Sequence, residues 1–294
     1  MIHIIDLHFK HLAQTIASFL IETSDGPVLV ETGPHSTFAN LKKGVEKAGF
    51  TIDEVRHVFL THIHLDHAGA AWDLAGRGAT IYLHPFGQRH MADPSKLMES
   101  ARRIYQDQMD SLWGNMRAID EARLHPTEHG ETITVGNRTF QALHTPGHAV
   151  HHIAWQMGGT IFTGDVAGVK IASGPVVPPC PPPDINLEDW KQSLALLRGE
   201  NPAKLYLTHF GIVENYDPHF DYLEREMDAW ANWMKPHFDA GETPDEITPA
   251  FVDFVEERLT GGGMAKADLP LYEAANPSWM SVAGLLRYWK KKTA

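Results

Sequence analysis

Residues 57–67 read His57-Val58-Phe59-Leu60-Thr61-His62-Ile63-His64-Leu65-Asp66-His67: a short apolar run, then three histidines and an aspartate within six positions. This stretch constrains the fold more than any other. A buried strand has to end here, and the loop that follows has to bring four polar side chains together. Neutral imidazole is a good zinc ligand, and a carboxylate adds a harder oxygen donor. Four such groups in six residues do not fit one face of an ordinary helix. They fit a tight loop at a strand's end, with the chain turning into a helix near Ala68. With 19 histidines and 37 acidic residues among 294, composition alone yields about one such motif per hundred chains. Spacing, not histidine abundance, is therefore the signal.

Three later segments have the same grammar. Thr145-Pro146-Gly147-His148, Thr163-Gly164-Asp165 and Thr208-His209-Phe210-Gly211 each end a β-rich run with a ligand-type side chain. Strand-end loops are where α/β folds build their sites.

Around these loops the pattern alternates between strand and helix. Paired strands are expected at 16–22 and 28–31, about the turn Ser24-Asp25-Gly26-Pro27. Ser36 is placed to cap a helix carrying Phe38, Leu41, Val45 and Ala48. Further strands are expected at 57–60, 80–83, 139–143, 153–156, 160–163 and 205–208, and an Asn186-capped helix precedes the last. Residues 94–116 have helical spacing, and 174–183 form a proline-dense, extended loop. Beyond about His219 two or three amphipathic helices are expected, broken at Gly261-Gly262-Gly263. This is a layered α/β body with an α-helical tail.

The set His-x-His-x-Asp-His, then His148, Asp165 and His209 in that order on strand ends, resembles the metallo-β-lactamase superfamily over residues 1–215. The resemblance implies an αββα four-layer sandwich with a helical insertion at about 91–125, followed by a helical C-terminal extension at 216–294. It assigns His62, His64 and His148 to one metal and Asp66, His67 and His209 to a second, with Asp165 bridging them. The implied cofactors are two divalent ions, zinc first, with manganese or iron as alternatives. The implied reaction is attack by a metal-bridging hydroxide on a small ester, thioester or lactone, with Asp66 and Asp165 as the catalytic carboxylates. Two enzymatic alternatives stay open: a phosphodiesterase on the same ligands, and a mononuclear-iron oxygenase similar to persulfide dioxygenases. Where lactamases of this superfamily carry a ligand cysteine this chain has Asp165, which argues against antibiotic hydrolysis. Val166-Ala167-Gly168 stand where lactone-specific relatives place a tyrosine, which weakens a lactonase reading.

Glu31 stands where the superfamily usually has aspartate. It is expected either to hydrogen-bond a ligand histidine or to face water as a strand-end acid. The stripe Tyr105, Met109, Trp113 and Met116 has two open roles, packing or roofing the metal cleft. Phe210 and His35 are further candidates for the pocket. Cys180 reads as a packed thiol. The net charge of -12 opposes nucleic acid and anionic membranes as partners. A lone cysteine and no evident leader or apolar span lead to an expected cytoplasmic protein acting on a small molecule, with a homodimer left open.

Overall fold

The computed structural model describes residues 1–294. Two six-stranded mixed sheets stack face to face. The first contains β1 (Ile2–Asp6), β2 (Ala17–Thr23), β3 (Gly26–Val30), β4 (His57–Phe59), β5 (Thr80–Leu83) and β6 (Leu124–Pro126), in that order. The second runs, from its far edge, β7 (Thr132–Val135), β8 (Arg138–His144), β9 (Ile153–Met157), β10 (Thr160–Gly164), β11 (Lys204–Leu207) and β12 (Gly211–Val213). Strand alternation explains the layering. Phe19, Ile21, Val28 and Val30 point inward and meet Phe140, Trp155 and Phe162 of the other sheet. Leu20 and Leu29 point outward, beneath Leu41 and Val45 of helix Phe38–Lys47 and Leu74 of helix Ala71–Gly76. The outer face of the second sheet is covered by helix Leu187–Gly199, whose N-cap is Asn186, accepting from the Glu188 and Asp189 amides. The architecture is the αββα sandwich.

β3, β4 and β5 are parallel neighbours, and so are β10 and β11. Parallel strands need crossover connections. The loops that leave their C-terminal ends therefore open at one edge. There the sheets are stitched together: the Ile153 amide donates to the Thr61 carbonyl at 2.7 Å, and the Ala17 amide to the Thr208 carbonyl at 2.9 Å.

Several expectations need correcting. β1, β6, β7 and β12 were not anticipated; all four are edge strands, and β6 and β12 are only three residues long, too short for a clear period. Ser36 caps no helix: its hydroxyl donates to the Leu112 carbonyl at 2.5 Å from within a 3-10 turn. The helical stretch at 94–116 is broken. Helix Ser95–Tyr105 stops at Gln106, whose φ of 47° lies in the left-handed region, and only the single turn Met109–Leu112 follows. The helix after the histidine run starts at Leu65 rather than Ala68, so Asp66 and His67 lie in its one turn.

The C-terminal region forms four helices instead of two or three: Tyr216–Ala240, Pro244–Gly261, Leu269–Ala275 and Ser278–Lys292. Phe220, Leu223, Trp230, Phe251 and Leu285 share one apolar core with Trp190, Leu194 and Leu205 of the sandwich. The proline-rich segment is clamped onto the last helix at Gly284, where an added Cβ would lie 1.9 Å from the Cys180 carbonyl oxygen. Gly284→Ala is expected to destabilise the protein by about 1–3 kcal/mol through this backbone clash, read as a lowered thermal midpoint; an unchanged midpoint would show the clamp to be unimportant. No helix is long and apolar enough to cross a membrane.

Candidate metal centre

The seven side chains singled out from the sequence meet at the stitched edge. His62, His64 and His148 form one group and Asp66, His67 and His209 another; within each, the ligand-type atoms all lie within 4.8 Å of one another. Asp165 stands between the groups. Its Oδ2 is 3.4 Å from His148 Nε2, and its Oδ1 is 3.3 Å from His67 Nε2 and 3.4 Å from His209 Nε2. Asp66 Oδ2 is 3.3 Å from His209 Nε2 and 3.5 Å from His67 Nε2. His62, His67, His148, Asp165 and His209 are buried, while His64 and Asp66 are partly open to the adjoining cavity.

The outward ring nitrogens decide the tautomers. His148 Nδ1 donates to the Pro179 carbonyl at 2.9 Å, His209 Nδ1 to the Thr15 carbonyl at 2.7 Å, and His67 Nδ1 to Glu31 Oε1 at 3.0 Å. With those nitrogens committed outward, each Nε2 is the atom left facing the centre. Burial would lower His67 and His209, but Asp165 and Asp66 outweigh it and hold both imidazoles above the usual histidine value, so a metal taken up there would displace a proton from each. His64 presents its Nδ1 instead, 2.9 Å from His62 Nε2 and 3.1 Å from His148 Nε2. His67 Nε2 and Asp165 Oδ1 are buried without a hydrogen-bond partner. Orphaned atoms of this kind are costly, and a cation between the groups satisfies both. The donor set therefore fits divalent metal. Burial, and then the neighbouring imidazoles, hold His62 and His64 well below the usual histidine value, His64 at about 3, which suits neutral ligands. Burial would raise the Asp165 carboxyl, but His67, His209 and His148 outweigh it and hold it well below the ordinary range.

Glu31, Thr61 and His152 hold this arrangement in place. Glu31 is fully buried at the end of β3 with a φ of 67°. Besides His67, its carboxylate accepts from the Thr61 amide at 3.3 Å, the Thr61 hydroxyl, and the Thr208 hydroxyl at 3.4 Å. One acid thus ties the loops carrying His62, His67 and His209. A further grouping of Glu31 with His62 and His67 is geometrically close. These hydrogen bonds commit Glu31 as an acceptor, however, so it fits a supporting role better than a ligand role. Glu31→Gln is expected to weaken metal affinity by about 10–100-fold, measured by chelator competition; unaltered affinity would contradict the supporting role. His152, not singled out from the sequence for the site, accepts from the Asp165 amide at 3.2 Å and pairs with Thr145 at 2.8 Å. Gly147, with φ +134°, puts His148 on its turn where an added Cβ would sit 2.3 Å from Trp190 Cα.

A cavity of about 490 Å³ opens on His64, Asp66, His148 and Asp165. Tyr105 and Trp113 line it, as the roof reading anticipated; the other pocket candidates do not. Met109 turns into the core beneath the first sheet. Phe210 packs against the cores on either side of the second sheet. His35 lies against Trp72 and Phe38, with Nε2 3.6 Å from Asp73. Further walls are Phe9, Ile63, Phe86, His151, Pro181 and Met280. The Tyr105 hydroxyl reaches Met280 Sδ at 3.2 Å, so the insertion and the last helix close one side together. Pro85, two residues past β5 and first in helix Pro85–Ala92, was the local sign of a further strand end here. Cys180 is buried, and burial pushes its thiol up, which suits packing.

The profile of the metallo-beta-lactamase superfamily matches residues 13–209. A metallo-beta-lactamase fold-containing protein of Sulfurisphaera tokodaii is 28% identical over 166 residues, covering 55% of this chain and 63% of that one. An atrochrysone carboxyl ACP thioesterase of Aspergillus aculeatus is 28% identical over 164 residues, covering 52% of this chain and 43% of that one. The matches thus span less than two thirds of either relative. In structure, a metallo-beta-lactamase family protein from Thermus thermophilus superposes with a TM-score of 0.71 at 21% identity, over 95% of this chain and 89% of that one. That likeness in fold takes in the C-terminal helices. With the profile match covering most of the sandwich and all seven strand-end side chains meeting at its edge, the chain belongs to the metallo-beta-lactamase superfamily.

Proposed function

We propose that this protein is a metal-dependent hydrolase that holds two divalent ions, zinc by preference, and cleaves an ester or thioester with an apolar acyl part. His62, His64 and His148 would hold one ion and Asp66, His67 and His209 the other, with Asp165 shared. Bound ions there would lower the pKa of water toward neutrality and polarise a carbonyl oxygen. The protein's own groups do the rest. Asp66, with side-chain exposure of 20%, is the carboxylate open to the cavity and is placed to take up and pass on a proton. Asp165 stays ionised and fixes the spacing between the groups. Phe9, Ile63, Leu65, Tyr105 and Trp113 exclude water and bind the acyl part. No serine or cysteine nucleophile is needed, and Cys180 lies outside the cavity.

The observation that carries this reading is the apolar cavity laid directly against the paired groups. The thioesterase activity named for the Aspergillus aculeatus relative is of the same reaction class. The test is metal analysis of protein purified without added metal, together with a panel of ester, thioester, lactone and bis-p-nitrophenyl phosphate substrates. About two ions per chain and turnover of acyl substrates are expected. One iron with oxygen consumption, or turnover of the phosphodiester alone, would replace the proposal.

A further inference from the structure

The cavity has largely apolar walls, but apart from the candidate metal ligands its charged lining is unlike the rest of the chain. The whole sequence carries 25 lysines and arginines against 37 acids. Apart from Asp66 and Asp165, the charged residues lining the cavity are Lys10, Arg89, Lys96 and Asp184: three cations to one acid. None of the three cations makes an ion pair with a carboxylate.

Arg89, in helix Pro85–Ala92, is held ready for a ligand. Its guanidinium lies 4.6 Å from the Phe86 ring centroid, and its Nε donates to His90 Nε2 at 3.2 Å. Both restraints leave the two terminal nitrogens free, the fork that suits a carboxylate or phosphate. Lys96, in the first turn of helix Ser95–Tyr105, also lines the cavity and makes no ion-pair contact, although Asp93 lies within its electrostatic reach. His90 beside them is kept below its ordinary value first by burial and then by Arg89 and Lys96, with Asp184 acting in the opposite direction. At the same rim Phe86 and Ile104, 45% and 42% exposed, are among the few large apolar side chains the molecule leaves in water. Arg89, Lys96 and this apolar rim form an entrance for a molecule with both an anionic end and an apolar body.

From this juxtaposition we infer that Arg89 and Lys96 form a subsite for an anionic group, carboxylate or phosphate. The substrate is then an amphipathic anion whose acyl bond reaches the metal end while its charge stays at the rim. The inference rests on reading this cavity as the substrate site. It can be tested by binding alone, so a failure to hydrolyse any probe does not decide it.

Binding of decyl phosphate, decanoate and decanol to the metal-loaded protein is followed by tryptophan fluorescence, with calorimetry as a second readout. Each anion is expected to bind about tenfold or more tighter than decanol, with a preference that declines as salt rises. Comparing the two anions separates a phosphate subsite from a carboxylate one. In the R89Q/K96Q double variant the preference is expected to vanish while decanol binding stays unchanged, and in R89K/K96R to persist. Anions held at the metals alone would bind the double variant as they bind the native protein, and that result overturns the inference. Equal weakening of decanol and the anions would overturn it as well, since it would mean a loss of shape rather than of charge. The thermal midpoint of each variant is recorded alongside.

Discussion

Asp165→Ala is expected to lower thioester turnover by about three orders of magnitude or more, with the protein still folded. Both carboxylate oxygens are used: Oδ2 faces His148 of one group, and Oδ1 faces His67 and His209 of the other. Removing them unlinks the two groups and leaves three buried imidazoles without their shared anion. Each tenfold in rate corresponds to about 1.4 kcal/mol, and the charge stabilisation that bound metal would supply here is worth several such steps. His148→Ala should come close to the same loss while sparing the second group. The measurement is kcat and kcat/KM on an acyl substrate that the native protein hydrolyses, with metal content determined on the same samples. Asp165→Asn separates charge from shape: a retained fold, reduced metal content and lost turnover place the effect on the charge. Full activity in either alanine variant would remove the mechanism.

Stripping metal should have the second large effect, this time on stability. Seven ligand-type side chains, five of them buried, are held at one edge. A ligand that binds only the folded chain adds about 4 kcal/mol when present at a thousand times its dissociation constant. For a chain of this size that corresponds to a drop in thermal midpoint on the order of 10 °C on exhaustive chelation. Restoring zinc should recover the midpoint; a midpoint indifferent to chelator would separate the fold from the metal. Glu31→Gln should reduce the chelator-induced drop, because the occupied state it supports is the one being lost.

Much of the metal centre was readable because its signals are local. The run from His62 to His67 sits at the end of one strand, and His148, Asp165 and His209 each follow a β-rich run. A strand's alternation and the loop at its end are set by residues a few positions apart. Met109 marks the limit of that reasoning. Its spacing with Tyr105 and Trp113 assumes one continuous helix, but the left-handed Gln106 breaks the helix and turns Met109 into the core. Met109 packs into the core, while Tyr105 before it and Trp113 after it reach the cavity.

Residue type and spacing alone determined the ligand chemistry, the order of the strand-end loops, and the layered α/β body that carries them. Packing between distant segments decided the rest. Glu31 faces two ligand loops because β3 lies beside β4 and the Thr208 loop arrives from the other sheet. Met280 closes the cavity because the last helix docks where Gly284 lets Cys180 approach. Such contacts join residues as far as 194 positions apart, as between Thr15 and His209. They arise from the fit of whole faces in a dense interior, which no short pattern records.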